Sequence, residues 1–294
     1  MKLLVKHLLT FVLLPLAVFL AARQATTPPS TSANQSPQRD PQALVPGAQQ
    51  PPTPAAQSRQ RDPQAVTVLQ QSVLAMGGTV PSDSVANGTV KIIAGSSNDE
   101  GTIRIMTRGQ NQTAEDIQTA GIHYTLIYSH GHADDRRSAL PLPLELAVTS
   151  QSSSFPLPLL ASILSDSEYV LQYVGLENLN AEAVHHLRVW KTFVSNPKLG
   201  PLAELSKREL WISSRSSLLL KLSYIRQASR GPGAVGMPIE VTYSDYRDTQ
   251  GLLYPFGIDT SLNGTQWAAV KITGVIFNSG LTDLDFPVSA RRAQ

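Results

Sequence analysis

From Val85 onward the chain is written in short segments of alternating apolar and polar residues bounded by Gly, Asn or Ser, and this punctuation limits the fold more than any other feature. The segments that read as strands are Gly88–Ala94, Thr102–Arg108, Ile122–Ser129, Tyr169–Leu176 and Ala183–Val194, then Arg208–Ser213, Leu218–Gln227, Met237–Tyr246, Leu252–Leu262 and Gln266–Phe277. Each is enriched in β-branched or aromatic residues, and some alternate without a break, as in Ile122-Tyr124-Leu126-Tyr128, the period-two pattern of a strand with one buried face. Strands joined mostly by short turns must pair antiparallel, because parallel neighbours need long crossovers.

Two interruptions carry helix instead. Leu140–Asp166 begins with prolines that forbid a strand and continues with Leu159, Leu160, Ile163 and Leu164 on one helical face, while Pro201–Lys207 has room for a single turn. Ahead of the strands, Val66, Leu69, Val73 and Met76 form a helical stripe, with Asp62 as N-cap, Pro63 at the first helical position and Gly77-Gly78 as the stop. A sheet of this size must curl or be covered, since an open apolar face aggregates. The two helices are the available covers. The expected fold is α+β, mainly antiparallel β: a strongly curved sheet, an incomplete barrel, with covering helices on its concave side and either a solid core or a cavity between the layers.

The chain ahead of this domain reads differently. Lys2 and Lys6 precede an apolar run from Leu8 to Ala22, the charged-then-apolar order of a secretory signal. The run is short for a membrane span and contains Pro15, so residues 1–25 read as a cleaved signal peptide, with an uncleaved anchor as the alternative. Residues 26–61 are rich in Pro, Gln, Ser and Thr without an aromatic residue, and such a composition cannot bury enough surface to offset its chain entropy. They read as a disordered linker. Within it Gln38-Arg39-Asp40-Pro41-Gln42-Ala43 recurs as Gln60-Arg61-Asp62-Pro63-Gln64-Ala65. Only the second copy is followed by a helical stripe; the first meets Pro46-Gly47. The folded domain is therefore expected over residues 62–290.

Composition excludes several functions. The chain has no cysteine, hence no disulfide, no thiolate metal site and no thiol nucleophile. The formal charge of +2 falls to zero once Lys2 and Lys6 leave with the signal, and to −1 where Arg23 leaves with them, which removes the basic excess that nucleic acid binding needs. Asn-x-Ser/Thr triplets at Asn34, Asn87, Asn111 and Asn263 are glycosylation acceptors only in a eukaryotic secretory pathway.

The C-terminal half resembles a known family. Arg208-Glu209-Leu210-Trp211-Ile212 followed by Leu218-Leu219-Leu220-Lys221, then Val241-Thr242-Tyr243-Ser244-Asp245-Tyr246-Arg247 with Gly251-Leu252 and Pro255-Phe256, and finally Ile272-Thr273-Gly274-Val275-Ile276-Phe277-Asn278 with Leu284 and Phe286, are similar to the later strands of LolA/LolB-like lipoprotein-carrier domains. Ser213 stands where that family usually has an acidic or amide residue, and Leu220 where it has proline. The resemblance implies an incomplete antiparallel barrel with helices as a lid, in the periplasm or cell envelope, whose concave face binds acyl chains of lipids or lipoproteins. It names no cargo, because one fold hosts many functions.

Few residues suggest chemistry. His130-Gly131-His132-Ala133-Asp134-Asp135 holds metal-ligand types, but in a turn-forming stretch where a solvated hairpin is the simpler reading. His185 and His186 are adjacent on a strand and so face opposite sides, one of them buried and hydrogen-bonded. No Gly-x-Ser-x-Gly elbow is present, Asp283 and Asp285 read as a solvated pair, and Gly231-Pro232-Gly233 reads as a hairpin tip rather than a phosphate loop. No enzyme activity, cofactor or metal is expected. The candidates for ligand binding are apolar: Trp190, Trp211 and Trp267 on three strands, and Leu159, Leu160 and Ile163 on the second helix.

The reading is an exported binding protein that takes a lipid, an acyl chain or another hydrophobic ligand, with a tethered protein-interaction module of the envelope as the alternative. Membrane contact is expected only through an uncleaved N-terminus. N-terminal sequencing of the protein from a secreting host should show a chain beginning between Arg23 and Pro28; a chain retaining Lys2 would establish the anchor instead.

Overall fold

The computed structural model describes residues 61–288 apart from 95–96, 110, 122, 136–139, 142–152 and 228–235. The signal segment, the linker up to Gln60, the first hexapeptide copy and the Gly231-Pro232-Gly233 tip lie outside the described residues.

The described chain opens with a helix, α1 (Pro63–Ala75), and then runs through β1 (Asp83–Ala94), β2 (Ser97–Arg108), β3 (Gln112–Thr119), β4 (His123–Ser129), β5 (His132–Asp135) and β6 (Leu140–Pro141). A second helix, α2 (Pro156–Ser165), leads into β7 (Tyr169–Leu179), β8 (Glu182–Lys191), β9 (Arg208–Ser213), β10 (Leu219–Gln227), β11 (Gly236–Thr249), β12 (Leu252–Leu262) and β13 (Thr265–Phe277). Short 3-10 helices at Pro197–Leu202 and Glu204–Ser206 fill the β8–β9 connection, where the sequence suggests one turn.

All strands belong to one antiparallel sheet in the order β6-β5-β4-β3-β2-β1-β13-β12-β11-β10-β9-β8-β7. It consists of two meanders, β1–β6 and β7–β13, joined where β1 pairs with β13. The end strands β6 and β7 do not pair with each other, so the sheet curves without closing. The α+β half-barrel expected from the strand pattern is the architecture observed.

Three strands depart from the expectation. β3 carries Glu115 beside Ile117 on its core face and Ala114 on the other, so it shows no clean apolar alternation. β5 lies in the His130–Asp135 stretch read as a turn; His130 and Gly131 make the turn with positive φ, and His132–Asp135 return along β4. β6 includes Pro141 despite the bar on proline, and it is the last strand of the sheet, where a missing ladder donor costs little.

The core lies on the concave face, between the sheet and both helices. The N-terminus of α1 is tied to the free edge of β7: Arg61 bridges Leu171 in parallel, the Asp62 N–H donates to the Leu171 carbonyl at 2.9 Å, and Arg61 Nη2 donates to the Ile163 carbonyl of α2 at 2.9 Å. Asp62 caps the helix by accepting the Gln64 N–H at 2.8 Å, satisfying one of the donors a first turn leaves unpaired. At the other end the Leu253 N–H donates to the Met76 carbonyl at 3.1 Å. Gly77 follows with φ +112°, and a Cβ there would sit 2.5 Å from Leu252 Cδ2, so this stop requires glycine on both steric and conformational grounds. Pinned at β7 and at the β11–β12 turn, α1 crosses the sheet and buries Ala65, Leu69 and its C-cap residue Met76 completely.

The convex face is covered in part by the chain's own tail. Phe286, 1 % exposed, packs with Ala114 and Ile127. Asp283 accepts from Arg108 Nη1 at 2.9 Å and from Gln112 Nε2 at 3.0 Å, and Thr282 and Asp285 form a capping box. The fold-back starts at Asp83, whose carboxylate accepts from Ser279 N–H (2.6 Å), Ser279 Oγ (2.7 Å) and Gly280 N–H (3.1 Å).

Burial alone pushes the Asp83 carboxyl up, but hydrogen bonds from Ser279, Gly280 and Ser82 to its ionised form outweigh it and hold the group below the usual carboxylate range. A carboxyl lowered in the folded state contributes stability above its unfolded pKa of about 3.9, and that contribution is lost as pH falls through the lower folded value. Asp83→Asn should cost about 1–3 kcal/mol at neutral pH. Below about pH 4 the gap to the wild type should narrow in chemical denaturation curves; a gap independent of pH would refute the role of the charge.

Candidate functional site

Alternation along paired strands decides which side chains enter the concave face. Leu187, Leu210, Leu222 and Val241 are successive cross-strand partners on β8, β9, β10 and β11, and all four belong to the main core. One step along the ladder the partners are Val189, Arg208, Tyr224 and Ile239. Arg208, 5 % exposed, and Tyr224 therefore sit on the apolar side, between two core residues. In the other meander Glu115 of β3 pairs with Ile105 and also points inward.

The residues leading into α2 connect these two arms. Ser154 Oγ donates to Glu115 Oε1 at 2.6 Å, and Tyr243 Oη of β11 donates to the Ser153 carbonyl at 2.6 Å. Phe155 follows, 2 % exposed, with its ring 4.7 Å from Tyr254 and 5.8 Å from Phe277. Ser153–Phe155 thus spans the half-barrel from β3 to β12, and Pro156 then starts α2, whose Leu157, Leu160 and Ile163 are fully buried. Burial pushes Tyr224, Tyr243, Tyr246 and Tyr254 above the usual phenol range. These hydroxyls stay protonated at physiological pH and act as neutral hydrogen-bonding groups. The interior is therefore largely apolar with a small number of fixed polar groups, the composition of a small-molecule site.

The residues singled out in the sequence separate in the structure. Leu160 and Ile163 are fully buried and Leu159 is 9 % exposed, all in the main core. Trp267 lies at the register shift between β12 and β13 and packs against that core. Trp211 and Trp190 do not share this face. Trp211 is the cross-strand partner of His186, while the core residues Leu210 and Ile212 flank it in sequence, so its ring lies on the convex side. Trp190 alternates with the core residue Val189 and faces the same way as Val170. Two of the three indoles proposed to line the concavity therefore sit behind it, because the strand period sends alternate side chains to opposite faces.

On the convex side Trp211 belongs to a polar ladder. His186 stacks on it at 4.5 Å, Lys221 Nζ lies 4.5 Å from its centroid, and its Nε1 donates to Glu177 Oε2 at 2.9 Å. His186, 8 % exposed, sits between Glu177 at 2.7 Å and Glu209 at 2.8 Å, and Lys221 pairs with Glu240 at 2.6 Å. The bonds from Trp211 and His186 hold the Glu177 carboxyl below its ordinary range. His185 faces the other way and meets Tyr173 Oη at 3.0 Å, the division expected of adjacent strand residues. His130 lies 3.6 Å from Asp283. Among the described residues no group of three or more His, Asp or Glu side chains is gathered in a way that holds a metal ion.

The inward polar residues Glu115, Arg208, Tyr224, Tyr243 and Tyr254 escaped sequence reasoning. The available signal was register: each occupies an apolar position of its strand's alternation.

No protein-family model matches the sequence, and no curated protein is significantly similar to it. Solved structures are similar in architecture. A LolA superfamily protein from Nitrosomonas europaea superposes with a TM-score of 0.51 at 14 % identity, over 76 % of this chain and 97 % of that one. A domain assigned to outer membrane lipoprotein sorting from Vibrio parahaemolyticus gives 0.50 at 12 % identity, over 76 % and 96 %. Identities this low carry the architecture alone: the chain has the LolA/LolB-like fold, an open antiparallel half-barrel with helices on its concave face.

Proposed function

We propose that this chain is an exported, non-enzymatic binding protein of the periplasm or cell envelope that holds a lipid, an acyl chain or another hydrophobic ligand between the sheet and its two helices. One observation supports this reading above others: α1 and α2 place an apolar layer over the concave face of a sheet that stays open between β6 and β7. The Vibrio domain of the same fold is assigned to lipoprotein sorting, which favours the same ligand class here. Leu159, Leu160, Ile163 and Trp267 are the lining residues in this proposal; Trp190 and Trp211, on the convex side, are left out. Residues 62–290 form the binding domain and residues 26–61 its tether.

A second reading has its own observation. Along the free edge of β7 the chain at Arg61 covers Leu171, while Val174 and Leu176 beyond it are 41 % and 61 % exposed, a stretch onto which another protein's strand can add.

Native mass spectrometry of the mature domain purified from membranes separates the two. The carrier reading expects a bound lipid mass, and in a Trp190→Phe/Trp211→Phe variant a change in Trp267 emission when that lipid is added back. Retention of a protein partner with no lipid, and silent Trp267 emission, would favour the edge-strand module and sink the carrier.

A further inference from the structure

Among the described residues, two hydroxyls in the interior have no hydrogen-bond partner: Tyr254 Oη on β12 and Ser72 Oγ on α1. Both residues are 0 % exposed. Leaving a buried hydroxyl unpaired is unfavourable, and native interiors rarely do so without a reason. The two belong to one junction. Ser72 lies one helical turn before Met76, whose N–H donates to the Ser72 carbonyl at 3.1 Å; the Met76 carbonyl in turn accepts from Leu253, the residue before Tyr254, at 3.1 Å. Two other interior tyrosine hydroxyls near this face are satisfied, Tyr243 by the Ser153 carbonyl and Tyr246 by the Leu219 carbonyl at 2.7 Å. The Leu253–Met76 bond thus ties the residue before Tyr254 to the helical turn that follows Ser72.

We infer that Ser72 Oγ and Tyr254 Oη form a polar subsite of the ligand-binding face, and that they donate to the carbonyl oxygen of an uncharged acyl ester whose chain lies against the apolar residues of the two helices. This rests on the carrier reading above and specifies its ligand.

The chemistry favours a neutral acceptor. A carbonyl oxygen has two lone pairs and can take one bond from each hydroxyl. Burial keeps the Tyr254 phenol protonated, and the Glu115 charge pushes it further in the same direction, so the hydroxyl is available as a donor. A free carboxylate or a phosphate would have to shed its water to reach two neutral donors, a cost that two such hydrogen bonds do not offset. A plain hydrocarbon would leave both hydroxyls unpaired. Access passes Phe155, whose ring covers Tyr254 at 4.7 Å, and the Ser153–Phe155 crossing is held to the sheet by two hydrogen bonds from opposite arms. Entry of a ligand then corresponds to release of that crossing, with the ester taking up the donors left beneath it.

The test uses the delipidated mature protein, its single variants Ser72→Ala and Tyr254→Phe, and the double variant, each titrated with monoolein, with oleate and with an alkene of matched chain length. The wild type should bind monoolein about tenfold more tightly than the alkene, two neutral hydrogen bonds being enough for that ratio, and should also prefer it to oleate. The double variant should bring monoolein and alkene to within about twofold, with each single variant intermediate. Without ligand, Tyr254→Phe should melt at the same temperature as the wild type or higher, because it removes an unpaired polar atom while keeping the ring. A double variant that keeps the preference for monoolein, or a wild type that prefers oleate or does not discriminate, overturns the subsite and leaves the carrier reading standing. A wild type that binds none of the three probes overturns both.

Discussion

One requirement shapes this molecule: a sheet that has thirteen strands among the described residues and does not close must have its apolar face covered by something else. The cover is α1 and α2, and neither helix would hold by itself in water, since helices this short are marginal without tertiary packing. Each takes its stability from what it buries. Leu157, Leu160 and Ile163 on α2, and Ala65, Leu69 and Met76 on α1, have no exposure; truncating a residue of this kind costs about 2–5 kcal/mol, for the larger aliphatic side chains, in a core that cannot collapse. The dependence runs both ways. With both helices gone the sheet would present a continuous apolar surface, and with the sheet gone α1 would lose both its ties, at Leu171 and at Leu253.

The same arrangement distinguishes this interior from an ordinary core. A core that exists only for stability has no use for Arg208, Glu115 and several tyrosine hydroxyls at positions where alternation supplies Leu and Ile on neighbouring strands. Each costs desolvation, which hydrogen bonding only partly recovers. Two of these groups meet at the Ser153–Phe155 crossing, where Tyr243 and Glu115 bind it from opposite arms of the half-barrel. The crossing is therefore held by polar contacts over an apolar floor. The polar contacts can be exchanged for those of a ligand or of water, whereas the Phe155 ring, packed on Tyr254 and Phe277, must be replaced by other apolar surface.

The fold was legible in the sequence to the extent that period two and chain punctuation speak. Asp62, Pro63 and Gly77 mark α1 because capping and stopping are local chemistry, and the meander β7–β13 follows from clean alternation. β3 was silent because its inward positions mix Glu115 with Ile117, and the property that hid it is the one that matters for the site. The tryptophans show the converse limit. Composition marks Trp211 as a large ring on a strand, but only register puts it on the convex side, between His186 and Lys221, and register is fixed by pairing that no single strand encodes.

The duplicated hexapeptide shows where local information ends. The fold uses nearly every residue of the second copy. Arg61 bridges β7 and reaches the Ile163 carbonyl, Asp62 caps, Pro63 starts the helix and Ala65 is fully buried. The first copy, 38–43, has the same residues in the same order, so the cap chemistry cannot be what distinguishes the two. The difference lies downstream. Residues 66–76 supply Val68, Leu69, Val73 and Met76 to the core, whereas the first copy is followed after two residues by Pro46-Gly47, which breaks a helix before its second turn. A cap contributes about 1 kcal/mol, and burial of those four apolar side chains contributes several times as much. The helix observed after the second copy therefore owes its stability to what that copy introduces, and the ties at β7 fix the direction in which it enters.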